Sequence, residues 1–216
     1  MATEPVGRVP VATLERLATY LRFLVDLEQA GVTTFSSSSV TEHTGVNAAQ
    51  FRKDLSYFGD FGKPGVGYDV GELANRVSHI LKIDRRQRVV LVGAGNLGAA
   101  LVGYPGLVEH RFDLVAVFDS NPAKVGKILW HLHIKHIDTL AEENIELGAQ
   151  IGIVAVPRSA AQSVADCLIS AGIRSILNFA PCVLRVPGHV TVRNVSFVQE
   201  LAVLSYHLTA GADSAE

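Results

Sequence analysis

Residues 88–101 decide the fold, and they read Arg88-Val-Val-Leu-Val-Gly93-Ala94-Gly95-Asn96-Leu97-Gly98-Ala-Ala-Leu101. A short apolar run leads into a Gly-x-Gly-x-x-Gly loop, and a helical pattern follows the loop. In dinucleotide-binding units, the residue in the place of Gly93 makes the tight turn, that of Gly95 admits the pyrophosphate, and that of Gly98 lets helix and strand pack closely. The whole loop, 93–98, is therefore a candidate cofactor-binding segment in an α/β domain.

A second apolar strand, 114–118, ends at Asp119, which lies 119 − 98 = 21 residues beyond Gly98. A carboxylate at this spacing binds the adenosine ribose hydroxyls in such domains. Because a carboxylate repels a 2′-phosphate, Asp119 favours NAD over NADP, and nearby Ser120 and Lys124 weaken that exclusion. We include Lys124 among the candidate cofactor contacts. The alternative is an α/β domain whose glycines serve only a turn.

Further short apolar runs, at 150–156, 175–178 and 190–195, fit additional strands of a doubly wound parallel sheet. Ligands of such sheets lie beyond the carboxyl ends of the strands. We therefore expect a nicotinamide near residues that follow those ends, although the prolines among them also serve to end strands. The candidates are Val156, Pro157, Asn178, Phe179, Ala180 and Pro181.

The N-terminal part is helical in pattern and predicts a winged helix. Apolar residues of the first helix, among them Leu14, Leu17, Leu24 and Val25, recur three and four apart. Capping-box spacing begins a short helix at Ser39, and a second cap at Asn47 begins a helix that ends at Gly59 with Phe51, Leu55 and Phe58 inward. Residues 61–68 are rich in Gly and Pro and predict a hairpin. A final helix follows over 71–82.

This arrangement indicates DNA binding, because a recognition helix presents polar side chains to base edges and a glycine-rich wing approaches the backbone. Arg favours guanine and Gln favours adenine. The alternative is a helical accessory or dimerisation domain with a solvated face. The candidate DNA contacts are Ser36, Ser37, Ser38, Ser39, Asn47, Gln50, Arg52, Lys53, Ser56, Tyr57, Lys63, Gly65 and Tyr68.

Composition bounds the class of protein. The 216 residues are 48% hydrophobic and 19% charged, with a net charge of −2, which excludes a polybasic binder and favours a packed core. Two cysteines fit a reducing cytosol, and we expect neither a secretory signal nor a membrane span. We expect three parts: a DNA-binding domain at 1–85, a Rossmann domain at 86–195, and a C-terminal helix and tail at 196–216.

An oxidoreductase needs a proton donor or acceptor beside the nicotinamide. No Tyr-x-x-x-Lys pair is present, although His189 and His207 stay open as candidates. We therefore favour a sensor that binds NAD(H) without turnover over an NAD(H)-dependent oxidoreductase or a CoA-binding subunit of a larger enzyme. His131, His133 and His136 lack acidic or Cys partners nearby, so we expect no metal. Cys182 fits an inert thiol better than a redox switch.

The C-terminal segment begins with capping-box spacing at Ser196 and Gln199 and is then apolar over most of its circumference. A helix that is apolar all round must be buried. We expect it either to be buried in its own domain or to be exchanged with a second subunit.

Together these features resemble the redox-sensing transcriptional repressors of the Rex family, over nearly the whole of 9–208. The resemblance rests on residues 52–59 (Arg-Lys-Asp-Leu-Ser-Tyr-Phe-Gly), 65–68, 93–98, Tyr104, 156–157 and 177–181. It implies a homodimer with domain-swapped C-terminal helices that binds an inverted-repeat operator when NADH is scarce. It further implies release when NADH binds, with NAD⁺ competing.

One position departs from the family pattern. Where the family typically has Asp, this chain has Ser196. The family resemblance implies that this Asp bonds a tyrosine in the place of Tyr104, or an arginine in the place of Arg22, as the dimer changes state. Ser196 keeps the helix cap and loses the charge, which puts the strength of that switch in question.

Overall fold

The structure is a computed structural model that describes residues 9–63 and 65–210. The chain divides into two compact units, Met1–Arg85 and Arg86–Glu216. Within the described residues, no helix has both the length and the apolarity that crossing a membrane requires.

The first unit is a winged helix. Its two short strands pair antiparallel, with Thr34 opposite Asp69 and Phe35 opposite Tyr68. A bridge between Lys63 and Gly67 closes the wing hairpin. The elements are α1 (Val11–Gln29), β1 (Thr34–Phe35), α2 (Ser39–Thr44), α3 (Ala48–Ser56), β2 (Tyr68–Asp69) and α4 (Val70–Ile80).

The core of the first unit is aromatic where α1 meets α3. Tyr20 and Phe51 are fully buried and pack edge to face, with ring centroids 4.9 Å apart. The predicted apolar stripe of α1 is wrong at Leu14 and Val25, which are each 38% exposed. Tyr20 and Phe23 face the core in their stead.

The predicted caps have mixed outcomes. Asn47 caps α3, because its side chain accepts the N–H of Gln50 at 2.8 Å. The capping box at Ser39 is wrong: Ser39 is already the first residue of α2, and its hydroxyl donates to the carbonyl of Ser36 at 2.7 Å. Helix α3 also ends at Ser56, short of Gly59.

The second unit is a doubly wound sheet in the order β5-β6-β4-β3-β7-β8-β9, parallel except for the β5–β6 pair. Chain order reverses at β3, so a crevice opens beyond the carboxyl ends of the central strands. The elements are β3 (Gln87–Val92), α5 (Asn96–Val102), α6 (Pro105–Glu109), β4 (Phe112–Asp119), β5 (Ile128–Leu129), β6 (Leu132–His136), a 3-10 turn (Ile137–Thr139), α7 (Leu140–Leu147), β7 (Ile151–Val154), α8 (Arg158–Ser170), β8 (Ser175–Asn178), β9 (Thr191–Asn194) and α9 (Phe197–Ala210).

The apolar C-terminal helix is not buried in its own unit. Every residue of 197–208 is exposed, including Val198 and Leu208. Burial of α9 within its own domain, one of the two expectations from its composition, is therefore wrong for the chain by itself.

Candidate functional site

The glycine loop after β3 has the geometry that its motif predicts. Gly93 has φ +110°, and a Cβ there would stand 2.3 Å from the carbonyl oxygen of Ala155. A Cβ on Gly98 would stand 2.0 Å from the carbonyl oxygen of Gly93, so α5 packs directly on the loop. A Cβ on Gly95 would meet nothing within 4 Å. The two outer glycines therefore serve packing, and the middle one faces open space.

Asp119, the last residue of β4, is nearly buried and is held from three sides. Its carboxylate accepts the N–H of Ala94 at 2.9 Å and that of Asn121 at 2.8 Å, and it pairs with the Lys124 ammonium at 3.0 Å. Burial by itself would raise the pKa of Asp119, but these three donors hold it below the usual range of an aspartate. The carboxylate is therefore ionised at neutral pH.

A cavity of about 250 Å³ lies beyond the carboxyl ends of the central strands. It brings together the glycine loop, the acid and two of the predicted strand-end residues. Gly93, Gly95, Asp119, Lys124, Val156 and Pro157 are among the residues that line it. An ionised acceptor beside an open glycine backbone suits a group with paired hydroxyls next to a phosphate.

The predicted nicotinamide contacts divide into two kinds. The side chain of Asn178 is fully buried, and its amide nitrogen donates to the carbonyls of Ala180 and Cys182 and to Asn194 Oδ1 at 3.2, 2.9 and 2.8 Å. Its oxygen accepts the N–H of Ala180 at 3.0 Å. This side chain holds the loop after β8 together, so we reassign Asn178 from direct cofactor contact to loop support.

Two of the other predicted residues in that loop keep exposed surface. Phe179 is half-buried, with its ring 6.3 Å from that of Phe197, and Pro181 is exposed. Ala180 is buried under the loop. Phe179 and Pro181 are therefore the predicted residues that retain free surface at this end of the crevice.

Helix α3, the predicted recognition helix, has cationic side chains on its exposed face. Arg52, Lys53 and Ser56 are exposed, while Phe51 and Leu55 are buried. Arg52 Nη1 donates to the hydroxyl of Ser37 at 2.8 Å. This bond orients the guanidinium toward residues 36–38, the serine segment before α2.

An open groove of about 530 Å³ runs between this segment and the wing. Ser36, Ser37, Arg52, Lys63, Gly65 and Tyr68 are among the residues that line it. Hydroxyls and two cations around a groove of glycine backbone suit an anionic polymer.

Other candidate DNA contacts also form hydrogen bonds or packing contacts within the first unit. Ser36 and Ser38 share a hydrogen bond between their hydroxyls. The ring of Tyr68 stacks on Phe35 with centroids 5.4 Å apart, and burial raises the pKa of Tyr68 despite the nearby Arg52 charge. Tyr57 also packs partly against the core. The two tyrosine rings therefore pack partly against the core of the first unit and are not fully exposed.

The sequence reasoning missed Asp54, whose carboxylate accepts five hydrogen bonds. This residue is fully buried, and its carboxylate accepts bonds from Thr13, Arg16 and Tyr20 on α1. It also accepts the amide of Gln50 at 2.9 Å. The signal was present in the sequence: Thr13, Arg16 and Tyr20 are polar positions spaced three and four apart along the buried side of α1.

Two of the three predicted switch residues are exposed, and the third caps a helix. Arg22 is exposed on α1 of the first unit. Tyr104 is 59% exposed, and its ring occupies the space where a Cβ on Gly106 would stand. Ser196 accepts the N–H of Gln199 at 3.3 Å, which is the predicted cap of α9.

Trp130, at the tip of the β5–β6 hairpin, was not predicted to have a role. It is 69% exposed and has φ +57°, which is unusual for a bulky residue. Its indole N–H donates to the carbonyl of Ala99 at 3.2 Å, and its ring lies where a Cβ on Gly103 would stand. The hairpin thus holds the C-terminal end of α5.

The histidines and cysteines have ordinary surroundings. His136 Nδ1 accepts the N–H of Asp138 at 3.3 Å. Over 9–63 and 65–210, no three His, Cys, Asp or Glu side chains cluster as metal ligands would. Cys167 is exposed and Cys182 half-buried, and both are free thiols.

Comparison with known families matches both units. A family model described as a putative DNA-binding protein N-terminus matches residues 8–56. A model described as a CoA binding domain matches residues 84–182. The two matches correspond to the winged helix and to most of the nucleotide-binding sheet.

Relatives match over nearly the whole chain. The redox-sensing transcriptional repressor Rex of Carboxydothermus hydrogenoformans is 46% identical over 201 residues, which covers 93% of this chain and 97% of that protein. Rex of Streptomyces coelicolor is 44% identical over 199 residues, which covers 92% and 77%. Both relatives are named as transcriptional repressors, and neither is named as an enzyme.

Solved structures agree. RSP in complex with NAD⁺ and operator DNA superposes with a TM-score of 0.90 at 36% identity, covering 96% of this chain and 95% of that one. RSP in complex with NADH gives 0.85 at 35% identity and covers 96% and 97%. By these relatives, and by the glycine loop and winged helix described above, the chain belongs to the Rex family of redox-sensing transcriptional repressors.

Proposed function

We propose that this chain binds operator DNA while NADH is scarce and releases it when NADH binds. The observation that carries the proposal is the presence, in one chain, of an ionised acid beside an open glycine loop and of a cationic groove on a winged helix. A ligand shifts such an equilibrium only by differential affinity, so NADH must bind the DNA-incompetent form more tightly than the DNA-competent form.

In the cofactor site, Asp119 accepts the adenosine ribose hydroxyls and the open backbone at Gly95 faces the pyrophosphate. The ionised carboxylate favours NAD over NADP, because a 2′-phosphate would meet a like charge. Lys124 partly offsets that charge. NADH supplies the redox signal, and NAD⁺ competes for the same residues. The proposed cofactor-binding set is Gly93, Ala94, Gly95, Asn96, Leu97, Gly98, Asp119, Lys124, Val156, Pro157, Phe179 and Pro181, with the buried Asn178 and Ala180 as support of the loop after β8.

In the DNA site, α3 enters the major groove and the wing meets the backbone. Arg52 and Lys53 are exposed on the helix, and Lys63 stands on the wing. Serine hydroxyls before α2 suit phosphate contacts. The proposed set is Ser36, Ser37, Ser38, Ser39, Asn47, Gln50, Arg52, Lys53, Ser56, Tyr57, Lys63, Gly65 and Tyr68.

The functional form is a homodimer on an inverted-repeat operator. The exposed apolar helix α9 supports this, since a helix of this composition needs cover and a second copy supplies it by exchange. Two-fold symmetry then matches two half-sites. Tyr104, Arg22 and Ser196 form the switch between states, with a neutral Ser196 making it weaker than a carboxylate would.

Three functional segments follow: a DNA-binding domain at 1–85, an NAD(H)-binding domain at 86–195, and an exchanged helix with its tail at 196–216. The protein acts as a sensor and not as a catalyst. Its place of action is the cytoplasm, because a repressor must reach chromosomal DNA.

The test is a titration of NADH against the dimer bound to a duplex. The duplex is obtained by selection from random inverted repeats. We expect DNA affinity to fall as NADH rises and to recover when NAD⁺ is added at fixed NADH. Unchanged DNA affinity at saturating NADH, with NADH binding confirmed by calorimetry, would contradict the proposal. Substrate-dependent oxidation of NADH would favour an oxidoreductase.

A further inference from the structure

Asp54 is a buried charge that none of the proposed contacts uses. Both carboxylate oxygens are engaged: Oδ2 accepts Arg16 Nε at 2.6 Å and the Tyr20 hydroxyl at 2.8 Å. Oδ1 accepts Arg16 Nη2 at 2.7 Å and the Thr13 hydroxyl at 3.1 Å. Oδ1 also accepts Gln50 Nε2 at 2.9 Å. All donors except Gln50 lie on α1, so the carboxylate joins α1 to the recognition helix.

Such an arrangement is not needed for stability by itself. Removing a carboxylate and a guanidinium from water is costly, and well-packed apolar residues commonly stabilise a core as well as a buried ion pair does. What directed bonds add is a defined orientation of the groups they join. The question is therefore which group Asp54 orients toward a partner.

Gln50 is that group. Hydrogen bonds to Arg16, Tyr20, Gln50 and Thr13 keep the pKa of Asp54 low against its burial, so the carboxylate is ionised. An ionised carboxylate only accepts hydrogen bonds. The amide of Gln50 must therefore direct its nitrogen to Asp54, and its oxygen, Oε1, is left to accept from elsewhere. A neutral partner at 54 would permit either orientation.

Gln50 also has the right place for base contact. It stands three residues after the cap Asn47, in the first turn of α3, and recognition helices read bases with their N-terminal residues. It is only half-buried, and the exposed Arg52 and Lys53 follow it on the same helix.

We propose that Asp54 is a positioning residue for base recognition, which turns Gln50 so that Oε1 accepts a hydrogen bond from the operator. In the major groove only adenine and cytosine present an exocyclic amine, whereas guanine and thymine present acceptors there. One position of each half-site is therefore adenine or cytosine on the strand that Gln50 reads. This inference rests on the proposed DNA binding.

The test compares base preference among variants on the operator obtained by selection. Affinity is measured for all four bases at each half-site position, with the dimer free of NADH. The variants are Asp54→Asn, Gln50→Met and a control, Asp26→Asn, which makes the same charge change at an exposed residue of α1. Circular dichroism checks the fold of each.

We expect the wild type and Asp26→Asn to prefer adenine or cytosine by about tenfold at one position. Asp54→Asn should reduce that preference to about threefold or less while the other positions keep theirs, because the new amide accepts either orientation of Gln50. Gln50→Met should abolish the preference at the same position.

Any one of four outcomes would overturn the inference. Asp54→Asn retains the preference, or weakens binding equally for every base. Gln50→Met removes a preference for guanine or thymine, or removes none. If Asp54→Asn does not fold, Gln50→Met decides by the identity of the base it ceases to prefer. A wild type that binds all duplexes equally would instead contradict the proposed repressor function.

Discussion

The backbone N–H of Ala94 donates to the Asp119 carboxylate at 2.9 Å. This bond joins the glycine loop after β3 to the end of the neighbouring strand β4. The group proposed to hold the ribose therefore also fixes the loop proposed to hold the pyrophosphate. Lys124 and the N–H of Asn121 complete the set of donors.

Asp119→Asn should weaken NADH binding by about 10- to 100-fold, since hydrogen bonds to a charged acceptor are worth about 1.5–3 kcal/mol. It should also narrow the preference for NADH over NADPH, because the repelling charge is lost. Calorimetry with both nucleotides measures the two effects. Asp113→Asn, near the start of the same strand, is the matched control. Equal NADH affinity in both variants would show that Asp119 does not touch the ribose.

Gly95→Ala and Gly98→Ala should affect different properties, the first NADH binding and the second stability. A Cβ at 95 meets nothing of the protein within 4 Å, so Gly95→Ala should leave the melting temperature nearly unchanged and weaken NADH. A Cβ at 98 would stand 2.0 Å from the Gly93 carbonyl, so Gly98→Ala should displace α5 and lower stability by about 2 kcal/mol or more. Thermal melts and NADH titrations separate them. Normal NADH affinity in Gly95→Ala would place the pyrophosphate elsewhere.

Asp54→Asn should destabilise the first unit by about 3 kcal/mol at pH 7, since it leaves Arg16 and two hydroxyls facing an amide. The folded pKa of Asp54 lies below its ordinary value, so its stabilisation is present above the unfolded pKa near 3.9 and is lost as the pH falls through the folded pKa. The difference between wild type and variant should therefore shrink toward pH 3. Melts at pH 7, 5 and 3 measure it. A difference that grows toward acid would mean that Asp54 is protonated when folded.

Much of this fold follows from local rules in the sequence. The glycine loop, followed by Asp119 at a distance of 21 residues from Gly98, predicts two strands, a turn and a helix. Each residue type there meets a requirement of the backbone, of packing or of ligand binding. Asn47 was likewise predictable as a cap. Ser39 was not, because Ser38 stands at the cap position and Ser39 bonds back to Ser36.

The sequence shows polar residues spaced along one side of α1, but it does not show which distant group they bond. The Asp54 carboxylate accepts a hydrogen bond from Thr13, which lies 41 positions earlier in the chain, and no local rule pairs residues so far apart. The expectation for Asn178 fails for the same reason: a polar residue at a strand end suggests a ligand contact, and only the folded loop reveals its four hydrogen bonds to Ala180, Cys182 and Asn194. The position of the Trp130 ring depends on the absence of a side chain at Gly103, which lies 27 residues earlier in the chain (130 − 103).

Gly103→Ala should release Trp130 from α5, because the new Cβ would stand 2.4 Å from the indole ring. Trp130 is the only tryptophan of the chain, so its fluorescence reports this directly. We expect greater quenching by iodide and a loss of about 1 kcal/mol in stability, as the bond to Ala99 breaks. Gly188→Ala, at a glycine whose Cβ would meet nothing within 4 Å, is the control. Unchanged quenching in Gly103→Ala would show that the ring moves little.

Arg52→Ala should weaken operator binding and spare NADH binding. The guanidinium is exposed on α3 and oriented by Ser37, so its loss removes either a base contact or a phosphate contact. A base contact costs about 1–3 kcal/mol at one position, whereas a phosphate contact weakens all sequences and reduces the salt slope by about one. Affinity at several salt concentrations on matched and mismatched duplexes therefore assigns the role.

The control for Arg52→Ala is Arg174→Ala, which removes an exposed arginine from the second unit. It should leave both ligands unaffected. Lys63→Ala should follow the phosphate pattern, because a flexible ammonium on the wing offers charge without bidentate geometry. If Arg52→Ala lost DNA and NADH affinity together, the two units would not function independently. If it lost neither, α3 would not be the recognition helix.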